Sequence, residues 1–222
     1  MVQLYLFITV ILAALFVTRV TLKTDQIGLL LSFSGAFLLS VTVLHLLPDF
    51  YQLDIHNMGI YILLGILVQS ILEFFSQGAE HGHIHSQENK RFPWLLFIGL
   101  SVHAFFEGIP VDEHSNQALL SAIIIHKVPV AMVLATFLRN SEIPKKQAWA
   151  LIVFFALMSP LGSYLSINNT FISDYKTEID GFIIGVFLHI STIILFESSK
   201  NHQFNLIKFI SVLLGFGLAF WA

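Results

Sequence analysis

SVHAFFEGIP, residues 101–110, sets a histidine and a glutamate four positions apart inside an apolar run. Whether that run lies in water or in lipid decides the fold. A carboxylate left alone in hydrocarbon is costly, so ionisable residues in membrane segments pair, bind an ion or line a watery path. The rest of the chain favours lipid. Of 222 residues, 56% are hydrophobic and 11% charged, with a mean hydropathy of +0.80, whereas soluble domains carry about 25% charged residues. Its 22 phenylalanines suit lipid contact and helix packing, and a net charge of -3 argues against a nucleic-acid partner. There is no cysteine. Disulfides and thiolate sites are therefore excluded, and any transition metal must be held by imidazole, carboxylate, carbonyl or water.

A spanning helix needs about 20 mostly apolar residues. Windows at 2–18, 27–48, 58–77, 93–112, 117–138, 147–167, 179–198 and 204–222 meet that need. They predict an all-α membrane protein with eight transmembrane helices, residues 1–222 forming a single transmembrane domain. No basic residue precedes the first window, which reads as a spanning helix and not as a cleaved signal peptide. The connections are short except for 78–92, GAEHGHIHSQENKRF, which is polar and histidine-rich.

Short cytoplasmic loops carry the excess of Lys and Arg. Arg19, Lys23, Lys90, Arg91, Arg139, Lys145, Lys146, Lys200 and Lys208 all follow odd-numbered windows. Both termini are thus expected outside the cytoplasm, with loop 78–92 inside it. The opposite side collects acids, Asp49, Asp54, Asp112, Glu113, Asp174, Glu178 and Asp180, a negative rim for an arriving cation.

His103 lies ten residues into the fourth window, roughly 15 Å deep at 1.5 Å per residue and close to the bilayer midplane. Glu107 is one turn on and shares its face, so imidazole and carboxylate can hold one ion. His126, nine residues in from Gln117, reaches a similar depth. Pro110 and Pro129 remove the helical bonds to the carbonyls of Phe106 and Ile125, beside Glu107 and His126. Loosened backbone at mid-depth is a means by which transporters expose carbonyls to an ion. One buried histidine is usually a structural residue. The matched depth, shared face and paired prolines distinguish this trio.

These residues give the chain a resemblance to the ZIP family of zinc and iron permeases. It rests on HAFFEG (103–108), HKVPVA (126–131), HLLPD (45–49), SPLG (159–162) and the histidine-bearing loop. The resemblance implies a core of helices two, four, five and seven, alternating access of the elevator type, and His103, Glu107 and His126 as transport-site ligands. The chain departs from the pattern at Ala104, where many members have an amide or hydroxyl, and at Lys127 and Val130, where many have acids. The second half of a two-metal centre is therefore missing, and a one-metal site is expected. The Lys127 ammonium can supply permanently the charge that a second metal supplies elsewhere, or release a proton when metal arrives.

Weaker signals surround this group. His189 falls near mid-depth of the seventh window, as an alternative ligand, a proton acceptor or a packing residue where the family has an aromatic. His45, Asp49, Asp112 and Glu113 are candidates for an entry vestibule, and Glu73 for receiving the ion inside. His81, His83 and His85 stand at alternate positions of the loop, where flexible imidazoles can bind a borderline metal on the cytoplasmic side.

The function expected is uptake of a divalent metal, Zn2+ first and Fe2+, Mn2+ or Cd2+ as alternatives, through an inner or plasma membrane into the cytoplasm. The metal is substrate, and no prosthetic group is expected. The partners are the ion, the lipid bilayer and, as a candidate, a second copy of the chain in a homodimer. No P-loop pattern is present for nucleotide-driven pumping. Two other readings stay open from sequence: an intramembrane metal-dependent hydrolase, though there is no HExxH, and a transport-inactive metal sensor.

Overall fold

The computed structural model describes residues 1–53, 58–76, 94–112, 117–197 and 205–221. All regular structure among them is helical: α1 (Val2–Arg19), α2 (Thr24–Val41), a π turn (Thr42–Leu46), α3 (Leu47–Tyr51), α4 (Met58–Ser76), α5 (Trp94–Gly108), α6 (Gln117–Asn140), α7 (Lys145–Asn168), α8 (Thr170–Asp174), α9 (Lys176–Glu197) and α10 (Leu206–Ala219). Among the described residues, five stretches are long and apolar enough to cross a membrane: Val2–Arg19, Thr24–Tyr51, Gln117–Asn140, Lys145–Asn168 and Lys176–Phe196. Gly59–Phe75, Trp94–Gly108 and Leu206–Ala219 are shorter apolar helices. Every predicted window thus contains a helix.

Proline chemistry sets two boundaries that the windows missed. Pro48 has no N–H to give Leu44 and its ring crowds that carbonyl. The rod from Thr24 to Tyr51 widens there into the π turn, in which the Leu47 amide reaches back to the Thr42 carbonyl. His45 sits in this turn. Pro110 ends α5 at Gly108 instead of kinking a helix that runs on to 112. The carbonyl of Phe106, expected to be loosened, accepts a tight-turn bond from the Ile109 amide at 3.2 Å, and Val111 bonds Gly108 at 3.1 Å. Pro129, by contrast, lies inside a continuous α6.

The helices associate in two sets. In one, α1 packs on α6 and α7, and α5 packs on α7; in the other, α4 packs on α9, α10 on α2, and α2 on α9. The sets meet chiefly where α2 touches α6 and α4 touches α5. Lipid tails are as apolar as leucine, so close backbone approach at small residues is a main driver of helix association. At the crossing of α5 and α7, a Cβ on Gly108 would run into the backbone carbonyl of Ser159, and one on Gly162 into that of Phe105. The glycines of HAFFEG and SPLG are thus each other's counterpart across one interface.

Helix α6 is the most central, with 72% of its most apolar window buried against 28% for α1. Large apolar side chains such as Leu63, Phe74 and Leu12 cover the outside, as hydrocarbon requires and water does not. Buried hydroxyls are accommodated by donating one turn back, Thr42 to Leu38, Thr136 to Met132 and Ser191 to Phe187. At one end of the bundle, Arg139 of α6 donates to the Val17 carbonyl at 2.7 Å and satisfies the last turn of α1.

Candidate metal centre

The i, i+4 spacing of α5 stacks His103 over Glu107 on the face turned to α6, and Nε2 of the histidine lies 3.0 Å from Oε1 of the glutamate. From α6, His126 brings its Nε2 to 3.6 Å from the same Oε1. Their rings stand edge to face with centroids 5.9 Å apart. One donor atom from each of the three residues lies within 4.8 Å of the others. Donors at about 2.0–2.1 Å from a tetrahedral zinc stand roughly 3.3 Å apart. These two separations straddle that value and all three donor atoms lie within 4.8 Å of one another, so side-chain shifts would bring three ligands to one ion.

The other oxygen of Glu107 is taken. Lys127 directs Nζ to Oε2 at 2.5 Å and to Ser159 Oγ at 2.6 Å, and that hydroxyl donates in turn to the Ala104 carbonyl at 2.5 Å. His103, Glu107, His126 and Lys127 are at most 2% exposed. Buried charges persist when paired and hydrogen-bonded, and here one carboxylate and one ammonium cancel. The carboxylate is divided by function: Oε2 is neutralised, and Oε1 faces two imidazoles. Ser34 of α2 approaches His126 Nδ1 at 3.5 Å, the usual place for a group that orients a ligating ring.

Val130, where an acid was noted as missing, is packed in the apolar core at 2% exposure. Ser159 and Ser34 were not among the residues selected from sequence. Ser159 opens the SPLG motif, which offered a signal; Ser34 is one of several serines in α2 and offered none. The remaining candidates lie elsewhere. His189 of α9 contacts Glu73 and Ser70 of α4. His45 is half-buried and Asp49 exposed. Asp112 follows α5, within electrostatic reach of Asp180, which pairs with Lys176 at 3.0 Å. Glu113, Asp54 and the loop residues His81, His83 and His85 lie outside the described residues.

Residues 76–221 match the family model described as ZIP Zinc transporter. The chain belongs to the ZIP zinc transporter family. Among curated proteins it is 31% identical over 158 residues to "Protein zntD" of Dictyostelium discoideum, covering 62% of this chain and 23% of that one. It is 30% identical over 149 residues to "Zinc transporter ZIP1" of Takifugu rubripes and 27% identical over 153 residues to that of Danio rerio. In both cases 62% of this chain and 49% of the relative are covered. The chain therefore spans about half or less of the length of the curated relatives it matches. The ZIP match takes in α5, α6 and α7, and with them every residue of the His103–Glu107–His126–Lys127–Ser159 group.

Proposed function

We propose that this ZIP-family chain carries a divalent metal ion, Zn2+ in the first place, across a membrane into the cytoplasm, with His103, Glu107 and His126 as the transport-site ligands. The observation that carries the reading is the convergence of two imidazoles and one carboxylate oxygen, deep in the bundle, with the second oxygen already neutralised. Imidazole with carboxylate suits zinc and admits Fe2+, Mn2+ and Cd2+. In this reading the eight apolar helices all span, both termini face away from the cytoplasm, and the host is an inner or plasma membrane.

Lys127 stands in for the charge of a second metal. It holds Glu107 ionised and oriented without a second ion, so that an arriving cation meets a formed half-site. Asp49, Asp112 and Glu113 form the acidic entrance, with His45 beside it, and His81, His83 and His85 bind delivered metal in the cytoplasm. The division of the helices into two sets supports alternating access, with the α1, α5, α6 and α7 set carrying the ion past the other. We read the protein as a transporter and not as an enzyme, since the one carboxylate of the centre among the described residues is paired with Lys127.

The test is Zn2+ uptake into proteoliposomes containing a zinc-responsive dye, native protein against Glu107→Gln, which preserves shape and an acceptor for Lys127. Saturable uptake by the native chain that vanishes in the variant is expected. Equal uptake by the variant, or none by folded native protein with any of the four metals, would sink the reading.

A further inference from the structure

A second polar cluster bridges α4 and α9, which pack closely where Gly65 and Gly185 abut the backbones of Phe182 and Ile62. His189 Nε2 lies 2.5 Å from Glu73 Oε2, and His189 Nδ1 lies 3.3 Å from Ser70 Oγ. The same hydroxyl is 2.8 Å from the carbonyl of Ile66, one turn back. His189 and Glu73 are 12% and 17% exposed, in contrast to the sealed metal centre. Both keep some exposed surface.

Proton accounting gives this arrangement two complete states. Imidazole carries one or two ring protons, a serine hydroxyl donates one and accepts, and a carboxylate only accepts. In the first state both ring nitrogens are protonated. Nε2–H donates to Glu73, Nδ1–H donates to Ser70 Oγ, and the hydroxyl donates to Ile66; the pair is neutral. In the second, the Nδ1 proton has left to water, the hydroxyl has turned from Ile66 to donate to Nδ1, and Nε2–H still donates to Glu73; the pair carries one negative charge. One proton enters or leaves while the ring keeps a partner at each nitrogen, because Ser70 can serve as acceptor or donor. A packing histidine needs only one of these states.

We propose that Ser70, Glu73 and His189 form a proton-binding site, separate from the metal centre, that takes up and releases one proton as the protein moves metal. The coupling to metal movement rests on the transport reading above; the proton site itself does not. The negative form favours a nearby divalent cation and the neutral form does not, which links proton occupancy to the ion's passage. Among the described residues, other charged groups stand on the neighbouring elements. On α5, His103 and Glu107 face α6. On α2, Gly35 packs against Ile194, which sets Ser40 level with His189 and leaves Asp25 fifteen residues, about 22 Å, away along the axis. His45 and Asp49 follow in the π turn and α3. On α9, Asp180 pairs with Lys176 about 13 Å from His189, and Glu197 is about 12 Å beyond it.

The experiment uses the full chain in proteoliposomes and measures Zn2+ uptake from pH 5.5 to 8 for native protein, His189→Phe and Glu73→Gln. Occupancy of a one-proton site changes by at most about tenfold per pH unit, so the native rate should follow a one-proton step. Both variants should retain saturable uptake at a lower rate, with that step gone. In parallel, nitrogen NMR of ring-labelled histidine, with His189 assigned by its absence in His189→Phe, should show Nδ1 losing its proton over the same range. Profiles identical to native in both variants, or a His189 ring unchanged across the range, would overturn the proposal. Should native protein carry no zinc, the ring titration still decides the proton site, and the transport reading fails separately. Should a variant fail to fold, Ser70→Ala keeps the pair, removes the rotor and must alter the ring titration.

Discussion

Replacing Lys127 by methionine isolates the charge argument, because the stem length is kept and only the ammonium is lost. Nζ is 2.5 Å from Glu107 Oε2; an ion bound about 2 Å from Oε1 would stand about 5 Å from it. At an effective dielectric of about 20, a divalent cation and an ammonium at that separation repel by about 7 kcal/mol. In addition, the variant leaves Glu107 as an unpaired buried charge, which costs about 3–5 kcal/mol in the metal-free state. That charge is relieved by a proton shared with His103 or by the metal itself. Both changes favour the metal-bound form, and displacing the proton that Glu107 takes up in the metal-free variant offsets most of the gain. The expected net result is metal binding about 10- to 100-fold tighter, about 1.4–2.8 kcal/mol. Slower uptake accompanies it, because the ion leaves less readily. Isothermal titration on detergent-solubilised protein gives the affinity, and two buffers of different ionisation heat count the proton released. Affinity unchanged or weakened in a folded Lys127→Met protein would refute the charge-surrogate reasoning.

Other changes probe the frame around the site. Gly108→Ala places a methyl against the Ser159 carbonyl and should cost about 1–3 kcal/mol by overpacking, seen as a lower unfolding temperature with loss of uptake; unchanged stability would mean α5 and α7 can separate freely. Ser159→Ala removes one acceptor of Lys127 and the donor to Ala104. It should cost about 1–2 kcal/mol and slow uptake while leaving the three proposed ligands in place, so a large loss of metal affinity would contradict the proposed geometry. Stability of Glu107→Gln should fall as Lys127 loses its counter-charge, and metal should no longer raise its unfolding temperature; a metal-dependent rise equal to native would place the ion elsewhere.

The pairing of His103 with Glu107 was legible from sequence because helical periodicity alone puts i and i+4 on one face. His126 was legible through depth, since two helices entering from opposite sides meet at mid-length. Lys127 could be flagged by adjacency, but adjacency does not say which oxygen of Glu107 it neutralises. That answer depends on how α5, α6 and α7 cross, and the crossing depends on the paired glycines at 108 and 162. The π turn at His45 and the early end of α5 followed from prolines whose presence was noted, yet the backbone chose local remedies, a wider turn and a tighter one, that no hydropathy window resolves.

By itself the sequence determined the all-helical class, the apolar segments and the chemical type of the site, because hydropathy, the 3.6-residue period and side-chain donor types are local properties. Tertiary structure alone decided which residues meet. Ser159 reaches Lys127, Ser34 approaches His126, and Glu73 meets His189 across 116 positions of chain. Such contacts are set by the crossing of helices distant in sequence, and no periodicity within one segment records where another will pass.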